Sequence, residues 1–415
     1  MRRVAWVAMT VLVLGTVANA LTGAASADSS VGTVSLPLGA EPYGVALTPD
    51  GKFAYVSDYA TNQVSVVRTS TNTAVGDPIS VGAAPSDIVI SPDGATVYTA
   101  NQNDDTVSAI DVATKDVTSI AVGDYPNGLA ISPDGATLYV TNWFGGTVSV
   151  VDTATATQTT TFPATGTWDI AISPDGNHLY VGNFSADTVT VLNAADGSQV
   201  GDPIVVGNAP SGLALSPNGR RLYVLTYNDG DLVTVNTVTG AVLGRVKVGL
   251  AGYGVAATPD GSRVYATSSS TGKLVAVSTA TTKVTQRTLV GAGAWGIGLT
   301  PAGNRAYVAL TDPIADTESL VVVDVDTQPA ITLDTLPVAK VGKAYAVTVT
   351  VSGSPKPTLS LTKGKLPAGL KLTSNGKIKG TPTKAGQVTV TLTAASVVSG
   401  TPTEVSKRFT LVVKK

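Results

Sequence analysis

Seven times along this chain a turn reading Pro-Asp-Gly, or a near variant, is followed a few residues later by a tyrosine. The turn prolines are Pro49, Pro92, Pro133, Pro174, Pro217, Pro259 and Pro301, spaced 43, 41, 41, 43, 42 and 42 residues apart. A period of that length, filled only with short alternating strands, marks a radial array of four-stranded sheets. The repeat says little about ligands, because such arrays carry many unrelated functions.

The unit around Pro133 shows the pattern. Gly128 to Ile131 reads as an innermost strand, Pro133-Asp134-Gly135 as a tight turn, and Thr137 to Val140 as a second strand. Val148 to Val151 makes a third, and Thr159 to Pro163 an outer strand leading to the next unit. Alternation with period two and turn residues at fixed offsets carry this reading. Proline presets φ in the turn and glycine accepts φ > 0.

The two ends of the array complement each other. After Leu320 to Asp324, the third strand of the seventh unit, the chain leaves through Gln328-Pro329 without an outer strand. Ahead of the first unit, residues 31–38 (VGTVSLPL) form a strand with no unit of their own. Pairing of 31–38 with 319–325 is therefore expected to close the ring and remove two open sheet edges.

With Tyr139-Val140-Thr141-Asn142 as its clearest copy, the repeat resembles the YVTN family of seven-bladed propellers of exported and surface-layer proteins. Asn101, Asn142 and Asn183 keep the family asparagine, whereas Asp58, Thr226, Ser268 and Leu310 replace it. Beyond Pro329 the composition shifts to Lys, Thr, Val and Gly. Leu336-Pro337, Val341-Gly342, Ala344-Tyr345, Leu366-Pro367-Ala368-Gly369-Leu370 and Gly380-Thr381-Pro382 resemble an immunoglobulin-like domain of bacterial surface proteins. The expected fold class is all-β, a seven-bladed β-propeller followed by a small immunoglobulin-like β-sandwich. The segments are 1–27, 28–328 and 329–415.

Residues 1–27 read as a signal peptide: Arg2 and Arg3, an apolar core from Val4 to Val17, and Ala25-Ser26-Ala27 as a cleavage site, with Ala18-Asn19-Ala20 as an alternative. No later run is long and apolar enough for a membrane span. The expected location is secreted or extracellular, in association with the cell wall. The chain has no cysteine, which excludes thiol chemistry and disulfide staples; a chain of this size builds its core without them.

Charge divides between the two halves. From Asp28 to Gln328, 12 Lys and Arg stand against 27 Asp and Glu, a net of −15; from Pro329 to Lys415, 13 stand against 2, a net of +11. The basic half, with Lys363, Lys365, Lys371, Lys377, Lys379 and Lys384, suits an anionic cell-wall polymer or lipid headgroups. The plainer reading is that these lysines solubilise an exposed sandwich or face the acidic half. Nucleic acid is disfavoured, since the larger half repels phosphate.

The aromatics divide as unevenly. Tyrosines 55, 98, 139, 180, 223, 265 and 307 occupy the second strand and are expected in the core. Tyr43, Trp168, Tyr253 and Trp295 share one repeat position at the entry to the innermost strand, and Tyr125 precedes it in its unit. Tyr59, Trp143, Phe144, Phe184 and Tyr227 fall in loops between second and third strands. In a propeller these positions share one face, which also collects most loop carboxylates. Such a face suits a carbohydrate or protein ligand; alternatively the rings plug the channel mouth and pack the loops.

Chemistry finds little support. The one histidine, His178, follows the Pro174-Asp175-Gly176 turn on the opposite face and reads as a surface residue. A triad or zinc site lacks its ligands. Asp87, Asn127 and Asp169 lie at or beside inner-strand entries, where oxygen ligands can hold Ca²⁺ or Mg²⁺, although Asp and Asn are also ordinary turn-satisfying residues. The sequence points to an exported, non-enzymatic binding protein without a cofactor. A structural surface-layer component and a metal-dependent lactonase or lyase are the alternatives.

Overall fold

The structure is a computed structural model that describes residues 29–37, 39–312, 317–325, 327–331, 333–354, 357–374, 376–398 and 401–415. Residues 1–27, read as a signal peptide, lie outside the described residues, as does Leu38 at the end of the expected closing strand.

Seven sheets follow the repeat. Blade three is typical: Pro126–Ile131, Thr137–Asn142, Thr147–Asp152 and Thr157–Pro163 pair antiparallel in that order. Blades one and four differ only at the rim. There Gly76-Asp77-Pro78 and Gly201-Asp202-Pro203 interrupt the outer strand, leaving Thr73–Ala74 with Ile79–Ser80 in one and Ile204–Val205 in the other. Proline has no N–H to give the ladder, so the break falls where the sheet is exposed.

The ring closes as the sequence requires. Ser29–Ser35 is the outer strand of blade seven, antiparallel to Thr317–Asp324, with Thr33 opposite Val321 and Ser35 opposite Ser319. Leu36 N–H extends the ladder to the Glu318 carbonyl at 3.3 Å. Val34 and Leu36 turn inward and pack with Tyr307, Leu320 and Val322 of blade seven and with Ala54, Val56 and Val67 of blade one. The first and last blades are thereby joined by apolar burial as well as by backbone pairing.

Between blades, packing uses the second-strand tyrosines, of which Tyr55, Tyr223, Tyr265 and Tyr307 are among the largest fully buried side chains. Their hydroxyls reach the neighbouring blade: Tyr139 donates to the Ala194 carbonyl at 3.0 Å and Tyr307 to Asn72 Oδ1 at 2.9 Å. A buried hydroxyl needs such a partner, so each tyrosine both fills and orients an interface.

The C-terminal unit pairs Thr327–Ile331 with Val351–Ser354, and has a four-stranded sheet (Ala339–Lys340, Thr401–Lys414, Gly386–Val398, Thr358–Lys363) and a three-stranded one (Tyr345–Thr348, Lys377–Gly380, Leu370–Leu372). Ile378, Leu392, Phe409 and Leu411 form its core. It has its own hydrophobic centre, separate from those of the blades.

Candidate functional site

At the entry to each inner strand the backbones of adjacent blades converge on the central channel. Five of the seven blades place a glycine there, where a Cβ would crowd the neighbouring backbone. An added Cβ on Gly128 would stand 2.9 Å from the Trp168 carbonyl oxygen, one on Gly254 2.5 Å from that of Trp295, and one on Gly296 2.2 Å from that of Tyr43. The penultimate residue of the second strand locks the approach. Thr141 Oγ1 accepts from Gly128 N–H at 2.8 Å and donates to the Trp168 carbonyl at 2.9 Å. Thr267 does the same with Gly254 and the Trp295 carbonyl, at 2.9 and 2.6 Å. The residues carrying the large rings are thus held by their main chains.

All ten aromatics expected on this face are brought together in one connected layer. Phe144 meets Tyr125 at 4.7 Å between ring centroids, Trp143 meets Trp168 at 4.1 Å, and Trp168 meets Tyr253 at 6.0 Å. Tyr253 meets Trp295 at 4.3 Å, Trp295 meets Tyr43 at 5.4 Å, and Tyr43 meets Tyr59 at 6.1 Å. Phe184 and Tyr227 join through Trp143 at 5.5 Å and Tyr253 at 5.2 Å. Burial first, then the neighbouring Tyr59 hydroxyl, lifts the pKa of Tyr125 above the usual tyrosine range.

Edge and tilted contacts at these separations each contribute roughly 0.5–1.5 kcal/mol beyond area burial, so the layer is rigid. Exposure within it is graded. Trp168 is 5% exposed, Phe144 is 65% exposed, and the other eight are half-buried. The mouth-plugging and ligand-presenting readings therefore apply to different rings, with Trp168 at the packed end and Phe144, Tyr125 and Trp143 at the open end.

Tyr125 carries backbone strain as well. Its φ of 58° lies in the left-handed region, where the preceding and following units place Ala84 (56°) and Gly166 (68°). A bulky side chain there costs roughly 1–2 kcal/mol, and such strain clusters at functional positions. The Asp105 carboxylate holds the conformation by accepting Tyr125 N–H at 2.9 Å. Other carboxylates of the face act alike: Asp104 accepts Ala83 N–H at 2.6 Å, Asp187 accepts Ala209 N–H and Asp229 accepts Asn208 N–H. Much of the acidity of this face thus also orders its loops.

Beneath the layer lies a cavity of about 180 Å³ that Asp87, Asn127 and Asp169 share with Tyr43, Trp168 and Tyr253. Asp87 and Asp169 replace the close-approach glycine in blades two and four, and their carboxylates act as inter-blade staples. Asp87 accepts from Ile88 N–H and, in the next blade, Leu129 N–H, both at 2.8 Å. Asp169 accepts from Ile170 N–H at 2.8 Å and Leu213 N–H at 2.6 Å. Asn127 donates to the Trp168 carbonyl at 2.8 Å and accepts from the Gln102 amide.

Burial raises the pKa of both carboxyls, and the charge of Asp87 raises Asp169 further. Each carboxylate oxygen already accepts a backbone N–H. Among the described residues no group of three His, Cys, Asp or Glu side chains is placed to hold a metal ion.

A family model described as YNCE-like beta-propeller matches residues 89–354. The chain belongs to the YNCE-like beta-propeller family. A second model, of the 7-bladed beta-propeller Lactonase family, matches residues 20–121, and an Ig domain model matches residues 328–414. No curated protein matches. Among solved structures, Kuenenia stuttgartiensis hydrazine synthase is similar, with 22% identity and a TM-score of 0.62 over 69% of this chain and 96% of that one. At that identity the likeness concerns the fold.

In this YNCE-like propeller two features escaped the sequence reading. The staple role of Asp87 and Asp169 needs the blade-to-blade register to be visible. Asp58, expected among the acidic residues of the aromatic face as well as replacing the family asparagine, is instead fully buried. Its Oδ2 accepts from Ser65 Oγ while Oδ1 has no partner, and burial pushes its pKa up to about 7. Of the six singled-out lysines, Lys371, Lys377 and Lys379 share the exposed side of the three-stranded sheet, with Lys371 directly opposite Lys379. Lys363 ends a strand of the other sheet, and Lys365 and Lys384 lie in loops.

Proposed function

We propose that this is an exported, non-enzymatic binding protein whose propeller uses the aromatic layer to hold a carbohydrate or protein ligand. The observation that carries the reading is the single connected layer of ten rings over one channel mouth, graded from packed to exposed. Clustered apolar surface with carboxylates at its margin commonly serves recognition. The strained Tyr125 and the exposed Phe144 form its contact edge. The basic Ig domain, through Lys371, Lys377 and Lys379, associates with an anionic polymer of the cell envelope.

The test is a binding screen of the full chain against a glycan array and purified cell-wall material, repeated with Phe144→Ala and Tyr125→Ala. A loss of tenfold or more with intact tryptophan fluorescence supports the reading. Unchanged binding of every ligand found would remove it. Ordered arrays formed by the free protein at high concentration would favour a scaffold instead.

A further inference from the structure

On the opposite side of the disc the second-strand tyrosines of blade seven and of blades one to five each meet a turn of the following blade. That turn places a positive-φ residue over the ring: Asn72, Lys115, Ala156, Gly197, Gly240 and Thr282 in blades one to six. In most cases a side chain fills the space. Lys115 lies 5.3 Å above the Tyr55 ring and donates to its hydroxyl at 2.9 Å. Ala156 packs in the cluster of Tyr98, and Asn72 accepts from Tyr307. Over Tyr139, where the turn residue is Gly197, the Phe162 ring occupies the place that a Cβ would take. A second filler comes from the first residue of the second strand. Arg221 and Arg305, in blades five and seven, reach across to turn carbonyls of the next blade, Thr279 and Thr69.

Between blades four and five the arginine is missing and the turn filler is smaller, since Ile204, in the register place of Phe162, lies 3.6 Å from where a Cβ on Gly240 would stand. The turn residue over Tyr180 is Gly240, and the strand starts with His178 rather than arginine. The broken outer strand of blade four widens the gap further. A groove of about 820 Å³ results, within the range of small-molecule sites.

Its floor is Tyr180, Val191 and Ile204, and its walls carry Asp202 and Arg220. Neither Asp202 nor Arg220 makes a side-chain hydrogen bond or ion pair among the described residues. An exposed acceptor and an exposed donor flank an apolar floor, and with Asp175 and His178 also on the lining the groove carries only a small net negative charge within a strongly acidic propeller. A polyhydroxylated, uncharged molecule satisfies such a site, because each hydroxyl both donates and accepts while the C–H faces cover the floor.

We infer that the groove between blades four and five is a second binding site, independent of the aromatic layer, for a short neutral oligosaccharide. The repeat itself supplies the blocking variant. Lys115 occupies the equivalent turn position at φ 68°, against 69° for Gly240, so Gly240→Lys fills the groove with a residue the fold already tolerates there.

The experiment is calorimetric titration of the full chain with maltotriose, cellotriose and chitotriose. It is repeated for Gly240→Lys, for Asp202→Asn with Arg220→Ala, and for Phe144→Ala. At least one trisaccharide is expected to bind, at least tenfold more weakly in the first two variants and unchanged in Phe144→Ala. The double variant replaces only exposed side chains and serves if Gly240→Lys does not fold. Absence of binding by all three sugars overturns the inference. Affinity unchanged by the groove variants, or lost only with Phe144→Ala, also overturns it, the latter result assigning the sugar to the aromatic layer.

Discussion

Replacing Asp58 with asparagine is expected to stabilise the propeller at high pH and to leave it nearly unchanged at low pH. Blades two, three and four have asparagine at this position, and there Asn101 donates to Thr106 Oγ1 and Ser108 Oγ, both at 2.9 Å. Blade one offers Ser65 in the same place, already bonded to Asp58 at 2.5 Å. The asparagine therefore enters part of a cage the fold has built three times, with Ser65 present and Gln63 standing where blades two to four have threonine. What it removes is a buried charge. Burial raises Asp58 from 3.8 to about 7, against a smaller opposing effect of the Ser65 hydroxyl.

A carboxyl whose pKa is raised on folding binds its proton more tightly in the folded state. Its stabilising effect is complete below the unfolded pKa near 4 and is lost as pH rises towards 7. At 1.36 kcal/mol per pKa unit, the difference between variant and parent approaches about 4 kcal/mol above pH 8 and about zero near pH 4. The other buried carboxyls, Asp87 and Asp169, titrate in both proteins and cancel. Urea unfolding of the chain lacking residues 1–27, which carry Trp6, reads the propeller by tryptophan fluorescence, because Trp143, Trp168 and Trp295 all lie within it. A variant–parent difference that does not change between pH 4.5 and 8.5 would refute the reasoning, as would a variant less stable at both.

Other outcomes follow from the same geometry. Trp168→Ala removes a 5%-exposed ring at the packed end of the layer, so it should lower stability by roughly 3–5 kcal/mol. Phe144→Ala, which removes a 65%-exposed ring and its contact with Tyr125, should cost less, roughly 0.5–1.5 kcal/mol, which urea midpoints of the two variants will show. Lactone hydrolysis, if assayed because of the lactonase match, should be absent with and without chelator; turnover abolished by chelator and by Asp169→Asn would establish an enzyme. Binding to purified cell-wall polymer should fall steeply between 50 and 500 mM salt and weaken with Lys371→Gln and Lys379→Gln. A salt-insensitive interaction would contradict the assigned lysine face.

The architecture was legible because the period and the turn chemistry repeat seven times, and because residues 31–38 and 319–325 each lacked a partner without the other. The shared face of Tyr43, Trp168, Tyr253 and Trp295 was legible for the same reason, since one repeat position maps to one place on the disc. What the sequence hid are contacts across blade boundaries. Asp87 and Asp169 look like ordinary strand-start residues until the next blade brings the Leu129 and Leu213 N–H groups to them. The gap over Tyr180 is likewise visible only when Gly240 is compared with its five equivalents in the other blades. Sequence also gives no measure of how far ten neighbouring rings pack together rather than face solvent, and here most do some of each.

Closure of the ring by the N-terminal strand is what gathers the aromatic layer, and a cross-link tests it most directly. Ser35 and Ser319 are opposed in the antiparallel ladder, and the chain has no cysteine of its own. The pair Ser35→Cys with Ser319→Cys should oxidise spontaneously and fasten the first strand to the last blade. Reduction should then cost the propeller several kcal/mol, on the order of 5 from loop entropy. Two thiols that stay free under oxidant in the folded protein, or a disulfide whose reduction leaves unfolding unchanged, would contradict the closed ring.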